Sequence, residues 1–130
     1  MHSILKTLSI VALTSISFAA MAAPRQLITH NTTDYESNAF VASSIPSQHP
    51  TRAHSEGRVF WTAVKLACFG HIENGKCSAL IMMATNTANP IPLGVVSMDM
   101  NSGEISPSVI SANGFTLTVN GPGETTLSQP

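Results

Sequence analysis

The chain has 130 residues, 43% of them hydrophobic, with six Lys and Arg against seven Asp and Glu. No basic patch is available to neutralise phosphates, so nucleic acid is not an expected partner. Attraction to an anionic membrane surface also lacks its usual cationic driving force, and few charges of any kind are left to build a catalytic site.

Residues 1–22 read as a secretory signal peptide. Lys6 gives a short basic start, an apolar run extends from about Leu8 to Ala20, and Ala20-Met21-Ala22 fits the small-x-small cleavage rule, with Ala23 as the new N-terminus. The run is short and rich in Ser and Thr, a poor membrane span, and no later segment approaches the length of a spanning helix. The expected protein is exported, to the periplasm or beyond, with no membrane span in the mature chain. It carries five Lys and Arg against seven acids, a formal charge near −2.

Residues 23–57 show scattered apolar positions with no sustained period of 2 or 3.6. Ser, Thr, Asn, Pro and His dominate, which suggests a flexible polar arm with one short strand near Ala39–Ala42. Asn31-Thr32-Thr33 is a formal glycosylation sequon.

Residues 58–130 read as an antiparallel β domain. "RVFWTAVKLACF" is rich in β-branched and aromatic residues. "KCSALIMMATN" is apolar nearly throughout, and "IPLGVVSMDM", "GEISPSVI", "GFTLTVN" and "ETTLS" follow. Turn signals separate them: Asn89-Pro90, Asn101-Ser102-Gly103, Asn113-Gly114 and Asn120-Gly121-Pro122-Gly123. The expected fold class is all-β, a small antiparallel meander forming a sandwich or open barrel. Met82, Met83, Met98 and Met100 read chiefly as core filler.

"LACFGHIENGKC" holds both cysteines, Cys68 and Cys77. In an exported chain the simplest reading is a disulfide. Facing each other across a hairpin, they would pair Leu66 with Ala79, Val64 with Ile81 and Thr62 with Met83, which puts apolar residues together on both faces. Closing so short a loop contributes roughly 2.5–3 kcal/mol. The spacing is not Cys-x-x-Cys, which argues against a redox pair. Zinc would need His71 and Glu73 crowded into the same short turn, so no metal is expected.

No other chemistry is prominent. His30, His49 and His54 are incidental to a polar arm. Asp99 and Glu104 flank a turn and read as solubilising charges, and "MDMNSGE" lacks the spaced acids of a calcium loop. There is no Gly-x-Ser-x-Gly elbow and no phosphate loop ahead of a helix. No catalytic residue and no cofactor is assigned. The best candidate binding loops are the stapled loop at His71 and Glu73, and the turn at Asn101 and Gly103.

The last 55 or so residues, through "ATNTANPI", "NSGEISP" and "TVNGPGE", resemble small uncharacterised exported proteins of Gram-negative bacteria. The resemblance implies bacterial export and brings no activity, cofactor or catalytic residue. The function expected from the sequence is non-catalytic binding, with a protein or envelope component as partner. The alternatives are a small hydrolase-like enzyme or a structural subunit assembling through strand edges.

Overall fold

A computed structural model describes residues 22–130. The expected signal peptide, Ala22 apart, lies outside the described residues. Two sheets face each other without closing into a barrel. The first is ordered β4-β1-β11-β10-β9, with β1 at Gln26–Asn31, β4 at Ser55–Phe60, β9 at Val109–Ala112, β10 at Phe115–Gly121 and β11 at Glu124–Ser128. The second is ordered β3-β2-β6-β7-β8, with β2 at Ser37–Val41, β3 at Ile45–Pro46, β6 at Lys76–Met83, β7 at Ile91–Asp99 and β8 at Ile105–Ser106. A two-residue strand, β5 at Ile72–Glu73, also pairs with β6.

The reading of residues 23–57 as a flexible arm is corrected. The segment supplies β1, β2, β3 and the start of β4. β1 lies inside its sheet, antiparallel to β4 on one side and parallel to β11 on the other, so the fold is not purely antiparallel. Hydrogen bonding along both edges orders a strand that hydrophobicity alone would leave loose. The short strand expected near Ala39–Ala42 corresponds to β2, which joins β6 through Phe40↔Leu80 and Val41↔Ala79.

The two-stranded ladder through the cysteines is also corrected. Trp61–Cys68 is an α-helix, α1, and Ala79 pairs instead with Val41 and Val96. Trp61, Val64 and Cys68 are its buried residues, at helical spacing. Ala63, Lys65, Leu66 and Ala67 between them favour helix. Gly70, at a φ of 83°, follows its end.

Two hairpin turns follow their sequence signals closely. Asn74-Gly75 joins β5 to β6 and Asn113-Gly114 joins β9 to β10, with positive φ at both residues of each pair. The sequon is not a modification site in the folded chain. Asn31 is 2% exposed, its Oδ1 accepts from the Thr33 N–H and hydroxyl, and its Nδ2 donates to the Tyr35 and Thr51 carbonyls.

The core divides in two. Met83, Leu93, Val96, Ile105, Phe115, Leu117 and Leu127 fill one end of the space between the sheets. Val41, Trp61, Val64, Cys68, Cys77 and Met100 cluster under α1 at the other.

Candidate functional site

The two predicted binding loops meet. The Met100 N–H donates to the Gly75 carbonyl (2.9 Å), and Lys76 pairs with Asp99 across β6 and β7. The stapled loop and the Asn101 turn therefore share one end of the second sheet. His71, Glu73 and Asn101 are exposed there. Gly103 is buried instead, at a φ of 78°, and a side chain at that position would meet the Pro24 ring at 2.7 Å. The Asp99 carboxylate closes the turn by accepting from the backbone N–H groups of Asn101 (2.8 Å) and Ser102 (3.0 Å). Those bonds, that of Ser102 first, hold its pKa below the ordinary 3.8.

Cys68 and Cys77 form the expected disulfide, with Cα atoms 6.0 Å apart. It ties the end of α1 to β6 rather than closing a strand ladder. At its start, α1 is held by Trp61, whose N–H donates to the Arg25 carbonyl (2.8 Å) and whose ring N–H donates to the Met100 carbonyl (3.3 Å).

Between these anchors lies a cavity of about 150 Å³. Its walls come from both sheets and from α1. Leu27, Val41, Val64, Ile81, Val96 and Met98 give an apolar interior, and the disulfide sulfurs' residues line it as well. The space exists because other inward positions are small: Ala39 on β2, Gly57 on β4, Ala63 and Ala67 on α1, and Ala79 on β6. His49 and Ala67 are its exposed lining residues and mark the mouth.

A strap, residues 47–51, borders the mouth. Its ends are bonded to β2: the Ser47 N–H donates to the Ala39 carbonyl, and Thr51 and Ser37 exchange backbone bonds at 2.8 and 2.9 Å. Asn38 fixes it further, donating to the Ser47 carbonyl and accepting from the Ser47 hydroxyl. At the Thr51 end the strap sits tightly on β4, since a Cβ on Gly57 would lie 2.5 Å from the Thr51 hydroxyl.

The outer face of the first sheet carries a charge cluster. His30 Nδ1 lies 3.1 Å from Glu56 and its Nε2 lies 2.6 Å from Glu124, bridging β4, β1 and β11. The Arg58 guanidinium donates to Glu56 and holds its carboxyl below the usual value. These groups are part-exposed on an open strand face. Among the described residues, no group of His, Cys, Asp and Glu has the arrangement to hold a metal ion. No helix among them is long and apolar enough to cross a membrane.

Neither the cavity nor this cluster appears in the sequence reading. Two signals pointed to them. Alternation in "SEGRVF" separates Glu56 and Arg58 from Gly57 and Val59, and alanines at 63 and 67 stand one helical turn apart on α1.

The comparisons with known proteins bear on the whole chain. The family model described as "T2SS substrate NttC" matches residues 1–130. The crystal structure of the Legionella pneumophila type II secretion system substrate NttC superposes with a TM-score of 0.82. It is 56% identical, and the match covers 83% of this chain and 100% of that one. No curated protein matches. The chain therefore belongs to the family of the T2SS substrate NttC.

Proposed function

We propose that this protein is exported as a type II secretion substrate and acts by binding rather than catalysis, with the cavity between its sheets as the ligand site. The observation that carries the reading is an apolar cavity of about 150 Å³, ringed by small side chains and open at His49 and Ala67. Apolar concavities with a few polar groups at the rim are where small molecules bind. Export is supported by the family's description and by the Cys68–Cys77 bond, which persists in oxidising compartments. On this reading the secretion apparatus is a transient partner, and the joined loops at His71, Glu73 and Asn101 are the outer surface available to a protein or envelope component.

The enzyme alternative has one observation in its favour, the His30 ring held between Glu56 and Glu124. A carboxylate–imidazole pair can do acid–base work, but this one lies on a sheet face away from the cavity lining. A panel of hydrolase substrates assayed with the exported protein and its His30→Ala, His71→Ala, Asp99→Ala and Glu104→Ala variants separates the two. No turnover is expected. Turnover lost with one of these changes, in a folded variant, would establish the enzyme. Export is tested by fractionating cells with and without a working type II system. The protein is expected in the medium only when the system works, with Ala23 as its first residue.

A further inference from the structure

We propose that the cavity takes a small neutral hydrocarbon body, about the size of one six-membered ring, and rejects ligands whose charge would have to enter it. The proposal rests on the reading of the cavity as a ligand site and names what the site selects. Its first support is the character of the lining, which contains no Asp, Glu, Lys or Arg. His49 is its only titratable side chain, and that residue stands exposed at the mouth. A carboxylate or ammonium carried inside would lose its water and find no opposite charge, a cost far above any contact it could gain. Asn38 and Ser47, a polar pair in the lining, are already bonded to each other at 2.8 Å. The other polar lining groups, the hydroxyls of Thr29, Ser37, Thr51 and Thr125, are uncharged, so nothing in the lining would neutralise a charged ligand.

Size supplies the second support. At about 150 Å³, the cavity matches the volume at which an apolar protein cavity stays dry and accepts benzene. A longer aliphatic chain would have to emerge between His49 and Ala67, where the lining meets solvent. The walls that would grip the ring are Val64 from α1, Val41 and Ile81 from the second sheet, and Leu27 from the first. Because α1 is fixed at both ends, by Trp61 and by the disulfide, the space is preformed, and binding need not order the chain first.

The test is methyl NMR of the exported chain, titrated separately with benzene, cyclohexane and hexanoate at neutral pH. Benzene and cyclohexane are expected to shift the methyls of Val64, Ala79 and Val96 saturably, and hexanoate to bind at least about tenfold more weakly. Ala79→Leu and Ala63→Leu each push a larger side chain into the cavity. Each is expected to weaken benzene binding at least about tenfold while the melting temperature holds or rises. Two variants are used so that misfolding of one leaves the other to report. Hexanoate binding as tightly as benzene would overturn the ligand class and leave the cavity a binding site. Benzene shifts unchanged in a folded filled variant would place the ligand elsewhere and overturn the proposal. No shift with any of the three would overturn both this proposal and the reading of the cavity as a ligand site.

Discussion

The two ends of the interior are filled differently. At one end Met83, Leu93 and Phe115 pack with Val96, Ile105, Leu117 and Leu127, and Met83 is fully buried; the last four of these, Val96, Ile105, Leu117 and Leu127, also form the cavity wall on that side. At the other, the inward positions of β2, β4, β6 and α1 hold Ala39, Gly57, Ala79, Ala63 and Ala67 around open space. Protein interiors normally close to crystal-like density. The Cys68–Cys77 bond, itself in the cavity wall, contributes roughly 2.5–3 kcal/mol where packing contributes less. The difference teaches that stability at the hollow end comes from cross-linking and backbone bonding, and at the other end from packing.

The largest effect that would test this contrast is deletion of residues 23–57. The deletion removes β1, β2, β3 and half of β4, and with them ten of the 24 residues that line the cavity. It also strips β11 of its partner along Ile28↔Glu124 to Asn31↔Leu127. Loss of cooperative melting is expected by calorimetry. A truncated chain that still melted cooperatively would show the packed end to be self-sufficient.

A matched pair of leucines sharpens the comparison. Leu93 is 4% exposed in the packed cluster and does not line the cavity, whereas Leu27 lines it. Leu93→Ala is expected to destabilise by roughly 3–5 kcal/mol, as a cavity opened in a filled core does. Leu27→Ala should cost about 2 kcal/mol, because its side chain already lacks neighbours on one side. Urea denaturation checks both, and equal losses would remove the distinction between the ends.

Replacing Cys68 and Cys77 together by serine should cost roughly 2.5–3 kcal/mol. The loss should be local to α1 in hydrogen exchange, because the helix is the element that the bond ties down. Uniform loss of protection across β10 and β11 would mean that the two ends do not differ in this way.

The sequence showed some of this and hid the rest for physical reasons. β6, β7, β10 and β11 were legible because apolar runs and Asn-Gly turns mark them, and the disulfide was legible from cysteine count and compartment. Trp61–Cys68 reads as a strand from sequence because the β-branched and aromatic run "RVFWT" leads into it, and eight residues give the helical period little room to show. β1 was missed because "QLITHN" is ordered by two hydrogen-bonded neighbours distant in sequence, and local pattern carries no record of them. Of the predicted loops, the structure brings His71, Glu73 and Asn101 together through the Met100–Gly75 bond, a juxtaposition that no spacing foretells. The cavity depends on which small residues face inward on separate strands, and that requires the topology.

The smallest expected effect concerns the turn that links α1 to the second sheet. Met100 accepts from the Trp61 ring through its carbonyl and donates to Gly75 through its N–H, and Asp99 beside it caps the turn by accepting from Ser102 and Asn101. These bonds lower the pKa of Asp99 from the ordinary 3.8. A carboxyl whose folded pKa lies below its unfolded one contributes stability above the unfolded value and loses it as pH falls through the folded value. The window therefore opens near 3.8 and extends downward. Asp99→Asn keeps an oxygen that can accept the same two N–H groups but removes the titration. The melting temperature of the natural protein should fall more steeply than that of the variant between about pH 4 and pH 2, and the two slopes should agree near neutrality. Subtracting the variant's curve removes the shared response of the other carboxylates, including Glu56. Parallel slopes across the acid range would show that the Asp99 cap contributes nothing to the hold on α1, and that Trp61 and the disulfide keep the hollow end together alone.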